Sequence, residues 1–327
     1  MNVRQVLPPD VIPSVDEPSF VDEYGGDPDD EVIVLEIGDE TRAYPVRYLD
    51  FHEIVNDEFP APDSAADEDL LPVVVTWCPL CGSAVAYEAR VDGRQLTFGV
   101  SGKLADDDLV MYDRETESEW KQSLGEAIAG PFEGESLTAL PAAMTTYERF
   151  AAEYEGQVLA EPGGESEASG PGPEPEPIDY DGDPYREYFE RDGFGLDAHH
   201  GKKSREWDRA DLDPKEVVLG IEHDGEALGF PYDRVEAVGG VARARVGDVD
   251  AAVFVTPDGI HAFDAADSDA EFEPADEPGR FRADGTVWNG ATGESEDGRR
   301  LERLPARRLF AFTWQDDHGS DTFWSPE

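Results

Sequence analysis

Two cysteines that lie three residues apart are the side chains of this chain best suited to special chemistry. Cys78-Pro79-Leu80-Cys81 follows an apolar run at residues 73–77, and the sequence contains no other cysteine. One close pair cannot build a disulfide framework. In a reducing compartment, such a pair indicates metal binding or redox chemistry instead. We therefore expect any such chemistry to centre on this turn.

Two kinds of site use a Cys-x-x-Cys pair. In thioredoxin-like proteins, a tryptophan precedes the first cysteine and a helix dipole lowers its pKa. Trp77 meets the first condition, but residues 82–91 have the pattern of a strand that enters a hairpin. In a zinc or rubredoxin knuckle, Cys-Pro-x-Cys-Gly forms a tight turn, and Gly82 supplies the left-handed conformation. The sequence fits the knuckle better.

A complete knuckle site needs four ligands, and this chain has no second cysteine pair. His52 is the best third ligand in the first half, and a carboxylate or a dimer partner would complete the shell. The donor set suits zinc, copper or iron. Two inert buried cysteines, or a simple disulfide, are the alternative.

A second group of polar residues lies between residues 98 and 122. Lys103 is one of only five lysines, and Asp113 with another carboxylate could act in acid–base catalysis. The candidate catalytic residues are therefore Cys78, Cys81, Lys103, Asp113 and Arg114. The candidate pocket residues are Trp77, Ser101, Tyr112, Glu115 and Trp120. In a chain this acidic, a solvated carboxylate surface is the competing interpretation.

Local patterns predict an α+β protein that is predominantly β. Runs rich in Val, Tyr, Phe and Thr predict strands at residues 32–37, 41–45, 72–77, 84–91 and 95–100. Asp92-Gly93 predicts a tight hairpin turn. A helix is expected from Thr146 to Tyr154, with Thr145 or Thr146 as its N-cap.

The second half resembles a degraded copy of the first. Residues 32–45 and 217–231 both read as a strand, a polar turn and a second strand that ends in aromatic-Pro. This order predicts two related β-rich halves from an internal duplication. We expect a β-rich domain at 1–161 and an acidic Pro/Gly-rich linker with a short aromatic segment at 162–213. A degenerate β-rich repeat without cysteines is expected at 214–327.

The charge balance limits the partners of the protein. Asp and Glu total 76 against 26 Lys and Arg, which gives a formal net charge of −50. A lysine-poor acidic surface indicates a halophilic protein, because molar salt screens the repulsion. The same negative charge argues against nucleic acid as a binding partner. There is no apolar run that could span a membrane and no secretory signal in the first 20 residues, so a cytoplasmic location is expected.

The chain resembles a family called domain of unknown function 3179. The resemblance rests on Ala43-Tyr-Pro45, His52-Glu-Ile-Val-Asn56, Val75-Thr-Trp-Cys-Pro-Leu-Cys-Gly-Ser-Ala84, Phe98-Gly-Val-Ser-Gly-Lys-Leu104, Leu109-Val-Met-Tyr-Asp-Arg-Glu-Thr-Glu-Ser118 with Trp120 and Gln122, and Ala127-Ile-Ala-Gly-Pro131. It covers roughly residues 5–200 and suggests a haloarchaeal-type member. Members of the family are often exported or lipid-anchored. The family implies no established activity.

Metal binding at the cysteine turn is the function that the sequence favours. A thiol-dependent redox enzyme is one alternative. A non-enzymatic module that binds a small ligand or a protein, with structural cysteines, is the other.

Overall fold

The computed structural model describes residues 1–62, 70–170, 172, 174–266 and 271–326. Its composition is 43% strand and 13% helix, which confirms the predominantly β prediction. Up to residue 161 the strands are β1 Val3–Gln5, β2 Phe20–Val21, β3 Glu31–Ile37, β4 Glu40–Pro45, β5 Ile54–Pro60, β6 Leu70–Cys78, β7 Ser83–Glu88, β8 Arg90–Val91, β9 Arg94–Gln95, β10 Phe98–Ala105, β11 Asp108–Asp113, β12 Glu119–Lys121, β13 Glu126–Ala129, β14 Thr138–Ala139, β15 Ala142–Thr146 and β16 Gln157–Leu159.

The later part of the chain adds twelve described strands and most of the helices. The strands are β17 Glu165–Ser166, β18 Glu176–Pro177, β19 Val217–His223, β20 Glu226–Pro231, β21 Val241–Val246, β22 Val249–Thr256, β23 Gly259–Asp264, β24 Glu273–Pro274, β25 Arg280–Ala283, β26 Thr286–Asn289, β27 Glu302–Arg303 and β28 Ala306–Phe310. The helices are α1 Val46–His52, α2 Tyr147–Glu153, α3 Arg186–Glu190, α4 Gly195–His199, α5 Tyr232–Ala237 and α6 Ala311–His318, with a 3-10 turn at Glu167–Ser169. Within the described residues, no helix is long and apolar enough to cross a bilayer.

One sheet joins strands from both halves of the chain. Its order is β20-β19-β28-β7-β6-β5, and β14 also pairs with β7. The junction lies between β28 and β7, where Arg308 is opposite Ala84. Beside it, the Phe310 N–H donates to the Cys81 carbonyl at 2.7 Å. The cysteine turn is therefore held partly by a strand from the far end of the chain, while the predicted division into domains stays a prediction.

A second sheet, of order β1-β10-β11-β12-β13, supplies the polar residues of the site. Asp108 begins β11 and Lys121 ends β12. The register of β10 against β11 shifts between Val100 and Lys103, which is the signature of a bulge. The remaining sheets are β15-β3-β4-β16-β2, β21-β22-β23-β27, β24-β25-β26 and the ribbons β8-β9 and β17-β18.

Two local predictions are confirmed. Asp92 and Gly93 both have positive φ, at 50° and 75°, as a type I′ turn requires, and β8 pairs with β9 around them. Helix α2 begins at Tyr147, and the Thr146 hydroxyl accepts a hydrogen bond from the Arg149 N–H at 3.4 Å.

Two parts of the chain share an order of elements. The β3–β4 hairpin ends at Pro45 and leads into α1, and the β19–β20 hairpin ends at Pro231 and leads into α5. A later strand then pairs antiparallel with the first strand of each hairpin and leads into a helix. Strand β15 pairs with β3 and leads into α2, and β28 pairs with β19 and leads into α6. This parallel agrees with the sequence pattern, and the duplication itself stays a prediction.

The core beneath the cysteine turn also contains residues from beyond residue 161. Besides Cys78 and Cys81 it includes Phe98 and Trp120 from the second sheet. Aromatic and apolar side chains of the later segment pack into the same cluster: Tyr185, Tyr188, Phe194, Ala198, Phe310 and Phe312. The short aromatic segment expected within 162–213 thus covers the turn.

Candidate functional site

The cysteine turn is a tight reversal between β6, which ends at Cys78, and β7. The Cys81 N–H donates to the Cys78 carbonyl at 3.1 Å. Gly82 has φ +55°, and a Cβ atom at this position would lie 2.7 Å from the Phe310 ring. A strand rather than a helix follows the turn, so no helix dipole acts on Cys78. The tight turn, the left-handed Gly82 and the strand that follows are the local features that the knuckle interpretation predicts.

Both thiols are buried, with exposed fractions of 2% for Cys78 and 0% for Cys81. Their sulfur atoms are 2.7 Å apart. Burial raises the pKa of the Cys78 thiol and raises that of Cys81 well above its usual value, and the neighbouring Asp108 carboxylate acts in the same direction. Without a bound cation, both groups are therefore neutral thiols near pH 7.

Asp108 is the third member of the site. Its Oδ1 atom accepts a hydrogen bond from the Cys81 thiol at 3.2 Å, and its other oxygen accepts one from the Ser123 N–H at 3.0 Å. The two sulfurs and one Asp108 carboxylate oxygen all lie within 4.8 Å of one another, and all three residues are buried. Asp106 and Asp107, both with positive φ, make the turn that leads into β11.

A buried ion pair lies next to Asp108. Lys121 Nζ contacts an Asp317 carboxylate oxygen, and the two side chains are 2% and 1% exposed. The Ser123 hydroxyl donates to the other Asp317 oxygen at 2.6 Å. Burial raises the pKa of Asp108, while the Lys121 ammonium acts to lower it. Helix α6, at the far end of the chain, thus supplies part of the electrostatic environment of Asp108.

The structure does not bring His52 into this group. Its Nδ1 atom is 2.9 Å from the Pro13 carbonyl oxygen, and its Nε2 atom is 2.6 Å from the Tyr180 hydroxyl. Burial lowers the pKa of the ring. Both ring nitrogens are therefore engaged elsewhere, and the side-chain oxygen that contacts a thiol belongs to Asp108.

Asp113 and Trp120 organise a turn of the second sheet. One Asp113 oxygen accepts from the Thr116 N–H at 2.6 Å, and the other accepts from the Trp120 indole N–H at 3.0 Å. The Thr116 hydroxyl contacts the same carboxylate. The Asp113 carboxylate therefore stabilises the turn between β11 and β12.

Three further predicted residues make contacts at the surface. Arg114 pairs with Asp16 at 3.3 Å. The Tyr112 hydroxyl donates to Asp10 at 2.6 Å, and Glu115 accepts from the Thr97 N–H at 2.8 Å. None of these contacts involves a thiol.

The other predicted pocket residues lie closer to the cysteine turn. The buried Trp77 precedes Cys78 and donates its indole N–H to Asp50 at 2.8 Å. Ser101 is buried at the β10 bulge, where its hydroxyl donates to the Val110 carbonyl. Lys103 pairs with Glu119 and lines a cavity that also touches Cys78.

That cavity has a volume of about 320 Å³, and we call it the Glu53 cavity. Its wall includes Cys78, Pro79, Leu80, Lys103 and Glu53. The Glu53 Oε2 atom has no hydrogen-bond partner among the described residues. Burial raises the pKa of Glu53 to about 8.

Sequence reasoning missed Asp108, Lys121, Ser123, Asp317 and Glu53. Asp108 closes a run of three aspartates in a chain with 76 acidic residues, so its type alone carries little information. Lys121 offered a usable signal, because it is as rare a residue as Lys103 and follows the buried Trp120. Asp317 is 196 residues from Lys121, and no local pattern links the two.

We expect the thiols of the folded, metal-free protein to react slowly with iodoacetamide. They are buried, and burial raises the pKa of both thiols, which lowers the thiolate fraction near pH 7. Mass spectrometry of alkylated protein over time should show a rate at least about tenfold below that of the guanidinium-unfolded chain. A folded rate equal to the unfolded one would contradict the burial of the pair.

The family model described as "Protein of unknown function (DUF3179)" matches residues 9–321. Neither a curated protein nor a solved structure matches the chain.

Proposed function

The chain belongs to the DUF3179 family of proteins of unknown function, and we propose that it is a metal-binding protein whose ion is held by Cys78, Cys81 and Asp108. One observation carries the proposal. Two sulfurs and a carboxylate oxygen lie within 4.8 Å of one another in a buried site. A cation there would compensate the charge of two thiolates and a carboxylate, which burial otherwise disfavours.

Zinc is the ion that suits this donor set best. Thiolate and carboxylate ligands are both common for zinc, and three protein ligands leave a fourth tetrahedral position for water or a ligand. Copper(I) and iron also accept thiolates. Tetrahedral zinc with Zn–S bonds of about 2.3 Å would hold the sulfurs about 3.8 Å apart. Since they are 2.7 Å apart here, ion entry requires them to separate by about 1 Å.

Elemental analysis and cobalt(II) titration test the proposal. Reduced protein is expected to bind one ion per chain and to show thiolate-to-cobalt charge-transfer absorption. Cys81→Ser should abolish that absorption, and Asp108→Asn should weaken binding at least about tenfold, because each removes a ligand.

A second, exposed group in the described chain serves as the matched control. His223, Asp224 and Asp248 also lie within 4.8 Å of one another, but none of them is buried. His223→Ala should leave the stoichiometry and the charge-transfer bands unchanged. Equal metal content in wild-type and Cys81→Ser protein would refute a site at the thiols.

A thiol–disulfide couple is the second candidate function. The two cysteine side chains meet in one buried turn, which favours it. Oxidation would form one S–S bond and release two protons and two electrons to a two-electron acceptor. Titration against glutathione would then show a reversible midpoint in the range of cellular thiol couples. If Cys78→Ser and Cys81→Ser only lowered the free energy of unfolding, and the wild type showed neither metal binding nor a redox midpoint, the cysteines would be structural.

We also propose that the protein works in molar salt. The formal charge of −50 and the low lysine content support this, because at roughly 1 M salt the Debye length falls to about 3 Å. The binding assays are therefore designed for roughly 1 M KCl. A reducing cytoplasm would keep both thiols available to an ion.

An internal duplication is proposed as the origin of the scaffold. The shared order of hairpin, helix, returning strand and helix supports it. In the first copy, the cysteine turn joins β6 to β7. At the corresponding place in the second copy, Pro257-Asp258 joins β22 to β23. The thiols would then be a feature added to one copy.

A further inference from the structure

The Glu53 cavity has the size and the lining of a small-molecule site. Its volume of about 320 Å³ lies at the lower end of the usual range for ligand pockets. Much of the wall is apolar, with Leu7, Ile12, Leu80, Leu104, Leu109 and Leu196 among the lining residues. An apolar wall with few polar groups favours a ligand whose body is hydrophobic.

Two carboxyl groups in this wall have no cationic partner among the described residues. Glu53 is 8% exposed, and its Oε2 atom has no hydrogen-bond partner in the part of the chain that the structure describes. Glu167 is half-buried and lines the same cavity. The described ion pairs include neither residue, whereas the Lys103 ammonium in the wall is already paired with Glu119. Leaving a buried polar atom without a hydrogen-bond partner is unfavourable. Binding of a ligand that donates a hydrogen bond to this atom would therefore be favourable.

The backbone of Glu53 is fixed on both sides. The residue ends α1 with φ +58°, which is uncommon for a residue other than glycine. Its N–H donates to the Leu49 carbonyl at 2.7 Å, and its carbonyl accepts from the Trp77 N–H at 2.8 Å. These bonds hold Glu53 at the cavity wall, although its Oε2 atom finds no hydrogen-bond partner among the described residues. Residues kept in such conformations are concentrated at functional sites.

We propose that the Glu53 cavity binds a small ligand with an apolar body and a protonated amine, whose ammonium group pairs with Glu53 and Glu167. The ammonium supplies hydrogen-bond donors to the unpartnered carboxyl and favours its ionised form, and the body packs against the leucines. An anionic group would instead meet two carboxyls and the strongly acidic protein surface. The proposal does not depend on a metal at the thiols.

Three probes with the same phenyl ring and different charge test this: 2-phenylethylamine, 2-phenylethanol and phenylacetate. Calorimetric titration of the full chain in roughly 1 M KCl should show the amine binding at least about tenfold more tightly than the alcohol. Phenylacetate should bind more weakly than either. Hexylamine repeats the measurement with an aliphatic body and should also bind.

Two variants and one control complete the test. Glu53→Gln should reduce the affinity for the amine at least about tenfold and leave that for the alcohol unchanged. Leu104→Trp should fill the cavity and remove binding of both. The exposed Glu135→Gln should behave like wild type. Equal affinity for amine and alcohol, retention of the preference in Glu53→Gln, or no binding of either amine would overturn the proposal.

Discussion

Lys121→Met is expected to lower the free energy of unfolding by about 3–5 kcal/mol, because it leaves Asp317 charged and buried without its partner. Both side chains of the pair are almost fully excluded from solvent, at 2% and 1% exposed. A surface pair would contribute at most about 1 kcal/mol. Guanidinium titration followed by tryptophan fluorescence measures the difference.

Two controls separate the ion pair from general damage. The double variant Lys121→Met/Asp317→Leu replaces both charges by apolar groups and should recover most of the loss. The exposed pair of Arg282 and Asp276 is 53% and 97% exposed, so Arg282→Met should change stability by less than about 1 kcal/mol. If Lys121→Met also changed the free energy of unfolding by less than about 1 kcal/mol, Lys121 and Asp317 would not form a buried ion pair.

Glu53→Gln is expected to make the metal-free protein less sensitive to alkaline pH. Burial raises the pKa of Glu53 from 4.5 to about 8, so the folded state holds its proton more tightly than the unfolded state. This stabilisation is complete below pH 4.5 and is lost as the pH rises through about 8. The shift corresponds to at most about 5 kcal/mol, and glutamine removes the whole effect because it does not ionise.

The measurement is the change in unfolding free energy between pH 5 and pH 8 for wild type and variant. Burial also raises the pKa of Asp50 to about 8. Ionisation of Asp50 therefore lowers the unfolding free energy of both proteins over this interval. The wild type should therefore lose more stability than Glu53→Gln over this interval. Glu135→Gln, an exposed glutamate, supplies the control. Parallel pH profiles for wild type and Glu53→Gln would show that Glu53 keeps an ordinary pKa.

Features that depend on local sequence were predictable. The Asp92-Gly93 turn and the Thr146 cap each rest on a backbone requirement that a few neighbouring residues satisfy. The same applies to the tight turn at Cys78–Cys81, because Gly82 permits the left-handed conformation and the following residues favour a strand. The predominantly β class followed from the spacing of such strands.

The composition of the site depends on pairings that local patterns do not encode. Phe310 donates to the Cys81 carbonyl, and Asp317 pairs with Lys121, across more than half of the chain. His52 was expected at the thiols because histidine is a common ligand, but the Tyr180 hydroxyl contacts its Nε2 atom. Asp108 was indistinguishable by type from its neighbours. Only its position at the start of β11 directs it to Cys81.

The separation between Lys121 and Asp317 has a consequence for the order of events during synthesis. At about 5–20 residues per second, the 196 residues between them take about 10–40 s to emerge. During that interval the thiol turn lacks β28 and α6, so solvent, ions and oxidants reach it more freely than in the finished protein. The nascent chain therefore offers a natural time for an ion to reach Cys78 and Cys81, before the last strand and helix close over the turn.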